Sequence, residues 1–497
     1  MTNERSQPLA MDAATFRQLG HRLVDQLAEF LASVPDRPVT RDESPSAVRK
    51  ALDLNGPLPE HGTAAAALLE QTATLLFDHS LFNGHPRFFG YITAPPAPIG
   101  ILGDFLASAV NANVGSWTLA PAATEIEAQT VRWIAELIGY PSESGGLLVS
   151  GGNMANFVGF WAARAARAPW NVREHGVAND PAQRLRVYGS AETHTWIQKA
   201  ADLAGLGTES IRWIATDADL RMDVDALRRA IDQDLAAGDL PFMVVGAAGS
   251  ISTGAVDPLR AIAAVCRDAG AWFHVDGAYG GFAAASPEAP ADLADLSEAD
   301  SVAVDPHRWL YAPLEAGCAL VRNPDHLRAA FAYHPPYYHF EERATNYVDF
   351  GPQNSRGFRA LKVWLALRQV GAAGYREMIS EDIRLSRHLA DAVRRTPELQ
   401  CLTQALSITT FRYVPADLRS RLGEPAAEQQ IDAINKELLD RLQRGGEVFV
   451  SNAIVDGHYV LRACIVNFHT TRADVEAVPS IVVRVGREIH AGRTLSC

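Results

Sequence analysis

The sequence predicts an α/β protein built around a mostly parallel sheet. Three observations carry that prediction. Between about residues 145 and 323, short apolar runs alternate with longer amphipathic stretches, the pattern of strand–helix–strand units. The runs are apolar at nearly every position, as in strands covered on both faces. Polar and small residues gather just beyond several of these runs, where ligands sit in such sheets, at the carboxyl ends of the strands.

The elements follow in chain order. Asp12 can cap a first helix whose Phe16, Leu19, Leu23, Leu27, Phe30, Leu31 and Val34 share one face, and Pro35 ends it. A second apolar-rich helix is predicted over 64–77. Two such helices cannot bury their stripes on each other alone, so this segment reads as an arm that docks on the main body or on a second subunit. Strands are predicted at 184–190, 210–216, 241–249, 271–278, 301–306 and 318–323. Helices fall after His194, over 223–238, and from Asp257 to the glycine at 270. From about residue 374 the texture becomes α+β: LSITTFRYV, a helix over 428–444, the paired strands VFVSNAIV and YVLRACIV, and a last helix from Ala473. Units of 1–84, 85–373 and 374–497 are expected. There is no internal repeat, and prolines cluster only at Pro95, Pro96 and Pro98.

Composition narrows the function. The chain has 497 residues, 45 Lys+Arg against 58 Asp+Glu, and a net charge of −13. An acidic chain without a basic run is a poor non-specific nucleic-acid binder. With 47% hydrophobic and 21% charged residues it is globular. Its five scattered cysteines include no CxxC pair, so neither a disulfide framework nor a zinc site is signalled. No stretch reaches about 18 apolar residues, and the first residues lack an apolar signal core. A soluble, cytoplasmic protein with no membrane or nucleic-acid partner is expected. Lysine occurs only at Lys50, Lys199, Lys362 and Lys436.

Four constellations could carry chemistry. SGGNMANF, from Ser150, runs small residues into an amphipathic helix, and helix N-termini with free N–H groups suit phosphate; a tight helix start reads the same way. Asp276, in HVDGAY, is a carboxylate at the end of a buried strand and needs a partner. A protonated ring nitrogen is one, a loop cap another. The strand SVAV runs into Asp305, Pro306, His307, Arg308 and Trp309, which an ordinary strand exit with a core histidine would also explain. His194, in SAETHTW, lies beyond another strand; a lone histidine is more often structural.

Order, spacing and sequence together resemble the group II pyridoxal-phosphate decarboxylases, in particular the aromatic L-amino acid decarboxylase branch. The resemblance runs from about residue 11 to 490. It rests on HPRFFGYIT, SWTLAPAATEIE, the SGGNMAN loop, HVDGAY and DPHRWL. It implies a fold type I architecture: a large, seven-stranded, mostly parallel sheet domain, a small C-terminal α+β domain and an N-terminal helical arm. It implies pyridoxal phosphate as cofactor, with the phosphate on the loop of Gly152 and Asn153 and His307 nearby. His194 would stack on the ring and face the substrate. Asp276 would pair with the ring N–H, and Ala278 would pack on the other ring face. Ser250 and Asp305 would complete the cofactor shell. Tyr91 and Thr93 would line the substrate pocket. Aromatic substrates suit a pocket with Phe89, Tyr91, Trp117 and Trp309, though core packing would account for about half of these aromatics. Residues 114–117, Val114 included, would reach the neighbouring subunit's site in a homodimer. The family's mobile catalytic loop resembles residues 337–364. Its proton-donating tyrosine falls on Tyr347, where related aldehyde synthases carry phenylalanine.

One position departs from the family. The residue after Pro-His is the family's Schiff-base lysine, and here it is Arg308. A guanidinium stays protonated and delocalised, so it is no nucleophile at neutral pH, and an internal aldimine cannot form there. Lys199, one turn past His194, is the only lysine near a motif. The resemblance therefore implies an L-amino acid decarboxylase, aromatic substrates foremost, whose turnover Arg308 severely impairs, and Arg308 reads first as an engineered change in it. The alternatives are a natural pseudoenzyme that binds a ligand or partner, slow chemistry on a non-covalently held cofactor, or an aldehyde-forming or other amino-acid decarboxylase of the same family. No metal is expected.

Overall fold

The computed structural model describes residues 7–53, 56–177, 183–336 and 344–494. Seven strands form the larger sheet: β1 (Gly145–Val149), β2 (Leu185–Ser190), β3 (Ile211–Ile214), β4 (Leu240–Ala247), β5 (Trp272–Asp276), β6 (Ser301–Val304) and β7 (Gly317–Val321). Their spatial order is β1-β7-β6-β5-β4-β2-β3. The run from β3 through β2, β4 and β5 to β6 is parallel. Only β7 runs against its neighbours. Apart from the edge strand β3, the strands are buried almost end to end, which is why their sequences read as continuous apolar runs rather than alternating ones.

A second sheet is wholly antiparallel. It holds β8 (Leu399–Ala405), β9 (Ile408–Tyr413), β10 (Ser451–Val455) and β11 (His458–Cys464), in the order β10-β11-β9-β8. β10 and β11 pair as the sequence predicts. The sequence reading omits β8, which lies at the sheet's edge, half-buried along most of its length. It also omits the long helix Ala360–Arg394, which links the two sheets and is broken at Gly371 (φ 70°, ψ 165°).

The first helix, Ala13–Ser33, is capped by Asp12, whose side chain accepts from Ala14 and Thr15. None of its residues is buried. Its apolar stripe lines an open groove with Leu69, Leu102 and Phe105, and Phe16 remains 55% exposed. No helix among the described residues is long and apolar enough to cross a membrane.

Candidate cofactor and substrate site

The carboxyl ends of the parallel strands and the loop after β1 converge on one pocket. It encloses about 460 Å³, its open mouth included. Gly152, Asn153, His194, Ser250, Asp276, Ala278 and Arg308 all line it. These seven residues span more than 150 positions of sequence, and the sheet topology brings them together.

The loop after β1 is shaped by glycines. Gly151 has φ 126°, a conformation that favours glycine, and a Cβ on Gly317 would lie 2.5 Å from Gly151 backbone atoms. A Cβ on Gly152 would lie 2.9 Å from both the Ala278 methyl and an Asp305 oxygen. The helix Gly152–Arg167 starts here without a side-chain cap, so its first N–H groups are available to an anion.

Asp276, at the end of β5, is held from two sides. Its Oδ2 accepts from Trp196 Nε1 at 2.7 Å and its Oδ1 from the Ala278 N–H at 3.2 Å. His194 is half-buried. Burial pushes its pKa down, Arg308 and Lys199 push the same way, and Asp276 opposes them. The ring is therefore favoured in its neutral form.

Asp305 ends β6 behind the pocket wall and is wholly buried. Burial raises its carboxyl to about 7; Arg308 pulls it down and Asp276 pushes it up. Arg308 Nε lies 3.2 Å from Asp305 Oδ2, near enough for an ion pair. The approach is out of line for a hydrogen bond: Arg308 Nε and both Asp305 oxygens have no hydrogen-bond partner. His307 contacts Ala316 O through Nδ1 at 2.6 Å, and its Nε2 lies 3.6 Å from Asp305. Burial, then Arg308, lowers its pKa to about 4.

Other expected residues lie elsewhere. Trp309 does not line the pocket, which corrects the expectation that it faces substrate. It is fully buried, its indole N–H donates to Asp382 at 3.0 Å, and its ring stacks on Tyr279 with centroids 5.0 Å apart. Burial with a satisfied N–H makes it core. Tyr91 is 57% exposed, has φ 51°, and packs toward Phe449; Thr93 is half-buried, and neither lines the pocket. Phe89 is completely buried in the small-sheet core. Val114 is buried; its N–H donates to the Arg356 carbonyl, and its carbonyl accepts from the Arg356 guanidinium at 2.9 Å. Trp117 donates to Glu125 at 2.8 Å. Tyr347 is also away from the pocket, buried under the Arg356 guanidinium, 4.6 Å from its ring centroid. Its segment is tied to 115–117: Val348 N–H donates to Gly115 O, and Trp117 N–H to Asn346. Residues 337–343 of the expected catalytic loop lie outside the described residues.

Sequence reasoning missed several residues of the pocket. Asn156, Glu192, Ile251 and Tyr279 line it. Arg462, on β11, donates to Ile251 O at 2.6 Å and Tyr91 O at 2.8 Å, tying the small sheet to the pocket wall. Asn156 and Tyr279 fall within the SGGNMAN and HVDGAY motifs, and Glu192 and Ile251 lie beside residues already singled out; no local pattern signals the reach of Arg462.

No lysine lines this pocket. Lys50, Lys199 and Lys436 are exposed, and Lys362 is buried against Asp104 at 3.0 Å. The pocket suits a flat ring bearing an anion. It has a side-chain-free cradle at a helix start and a tethered carboxylate. Around it, Glu192, Asp305, Arg308 and Arg462 leave buried polar atoms unpaired.

Residues 45–414 match the model of the pyridoxal-dependent decarboxylase conserved domain. The chain is 32% identical to an aromatic-L-amino-acid decarboxylase of Bacillus atrophaeus over 489 residues, covering 97% of this chain and 98% of that one. It is 29% identical to a phenylacetaldehyde synthase of a Rosa hybrid cultivar, covering 92% and 91%. The crystal structure of Oryza sativa TDC with PLP and tryptamine superposes with a TM-score of 0.89 at 28% identity, covering 98% of this chain and all of that one. The fold is that of the fold type I enzymes, the family's cofactor is pyridoxal phosphate, and the chain belongs to the pyridoxal-dependent decarboxylase family.

Proposed function

We propose that this chain is the scaffold of a decarboxylase that converts an aromatic L-amino acid to its amine and carbon dioxide, severely impaired because Arg308 occupies the lysine position. The observation that carries the reading is Arg308 itself, which lines the pocket beside Asp276 and His194 where no lysine does. The aromatic-L-amino-acid decarboxylase among its relatives supports the substrate class. Tyr347 supports amine rather than aldehyde formation.

Bound in this pocket, pyridoxal phosphate supplies an electron sink for the bond to the departing carboxylate. The residues prepare it. The N–H groups at the start of helix Gly152–Arg167, with Asn153, hold the phosphate, and His307 and Asp305 sit behind that loop. Asp276 holds a proton on the ring nitrogen, with Ser250 completing the shell. Neutral His194 would cover one face of the ring, and Ala278 would lie against the other. Arg308 offers charge but no amine lone pair, so the chain can neither tether the cofactor nor displace the finished amine.

The proton for Cα comes from Tyr347 in this reading. Burial raises its pKa well above that of an ordinary tyrosine, Glu127 adds to this and Arg356 opposes it. The hydroxyl therefore keeps its proton. Within its own chain Tyr347 is buried away from the pocket, so we assign it, with the hydrogen-bonded segment 114–117, to the pocket of a second copy in a homodimer, which its hydroxyl reaches once this segment rearranges. The exposed groove along helix Ala13–Ser33 supports such a partner. We take the protein to be cytoplasmic, in keeping with its acidic balance. We divide it near residues 84 and 373, the second cut supported by the break at Gly371.

Amine release from aromatic amino acids, measured for this chain and for Arg308→Lys, tests the reading. Robust release only in Arg308→Lys is expected. Equal rates in both overturn the assignment of position 308. No release in either favours a ligand-binding protein that kept the cleft.

A further inference from the structure

Trp196 is the first residue of helix Trp196–Leu203, two positions after His194, and its side chain is completely buried. Its indole N–H donates to Asp276 Oδ2 at 2.7 Å, the shorter of the two contacts that hold this carboxylate. The ring cannot swing away. It meets Phe160 edge-on with centroids 6.5 Å apart at 86°, and His274 at 5.6 Å and 77°. His274 is itself fixed, hydrogen-bonded to Ser301 at 2.8 Å and to Asn156 at 2.7 Å. A hydrogen bond to an ionised carboxylate is stronger than one between neutral groups. A group that must face a ligand nitrogen gains from having its other oxygen occupied in advance, as outer partners orient the ligands of metal sites.

We propose that Trp196 is a positioning residue for the cofactor. Its indole N–H locks the Asp276 carboxylate in the orientation that holds a proton on the ring nitrogen. The inference rests on the role assigned to Asp276 above.

The test is equilibrium binding of two compounds to the full chain: pyridoxal 5′-phosphate, and its 1-deaza analogue in which the ring nitrogen is a C–H. Arg308 forms no covalent bond with either, so both dissociation constants are read directly. The chain should prefer pyridoxal phosphate, because only that compound offers the carboxylate an N–H. Asp276→Asn should abolish the preference. Trp196→Phe should reduce it about tenfold while leaving affinity for the deaza analogue within about twofold, the scale of one charge-assisted hydrogen bond. Should Trp196→Phe fail to fold, benzothienylalanine at position 196 keeps the ring's shape without its N–H and should act alike.

A purely structural role for Trp196 would weaken both compounds equally, and that result overturns the inference. So does an unchanged preference in the Trp196 variants when Asp276→Asn has lost it. An unchanged preference in Asp276→Asn, or no binding of either compound, overturns the reading of Asp276 and the inference with it.

Discussion

Two wholly buried carboxylates lie at opposite ends of the segment from Asp305 to Tyr311. Burial lifts both to about 7. Their surroundings differ. Asp382, on the long helix, accepts from Trp309 Nε1 at 3.0 Å and from Tyr311 Oη at 2.8 Å. Asp305 has Arg308 Nε at 3.2 Å, out of line, and no hydrogen bond on either oxygen. One carboxylate is closed by fixed core donors. The other lies behind the pocket wall with no hydrogen bond on either oxygen, which a folded core alone would not tolerate. A few residues of chain therefore pass from structural chemistry to ligand chemistry, and Arg308 stands at the passage.

The largest effect should come from breaking the closed side. Asp382→Ala leaves an indole N–H and a phenol O–H buried without acceptors, and should cost about 3 kcal/mol in chemical denaturation. A loss below about 0.5 kcal/mol would place those donors in contact with water instead.

The open side should announce itself through pH. Asp305 has its folded pKa raised, so its own contribution to stability is full below the carboxyl's ordinary range and is lost as pH rises toward about 7. Asp305→Asn removes the titration. Its stability relative to the parent should therefore improve by about 2 kcal/mol between pH 4 and pH 8. A flat difference would mean that Arg308 already compensates the charge in full.

Trp309→Phe sharpens the boundary between the two. It keeps most of the stacking on Tyr279 but removes the donor to Asp382, so it should cost about 1 kcal/mol and leave the substrate preference of an Arg308→Lys background unchanged. A changed preference would return Trp309 to the pocket. Lys199→Ala, on the exposed face of its helix, should change stability by no more than about 0.5 kcal/mol. It should leave pyridoxal phosphate binding untouched.

The same contrast explains what the sequence made legible. Buried strands appear as unbroken apolar runs, and residues at their carboxyl ends must face the same edge of the sheet. Asp276, His194 and the Gly152 loop could therefore be located from pattern and motif. Trp309 could not be placed that way. It directly follows the pocket residue Arg308 in sequence, yet its partner Asp382 is far along the chain and no local periodicity reports the pairing. Trp196 and Arg462 escaped for the same reason: each matters through a contact with a distant strand or loop. Strand β8 escaped because its half-buried, polar residues at the sheet edge give little apolar signal.

A pocket that lacks only its amine should regain covalently held cofactor once position 308 is lysine. The most direct measurement is the visible absorbance spectrum of this chain and of Arg308→Lys with added pyridoxal phosphate, before and after borohydride reduction and gel filtration. Arg308→Lys alone should show a visible aldimine band, which borohydride bleaches while leaving the reduced cofactor attached to the protein through gel filtration. The same aldimine band and retained cofactor in the parent chain would contradict this, as would their absence from both.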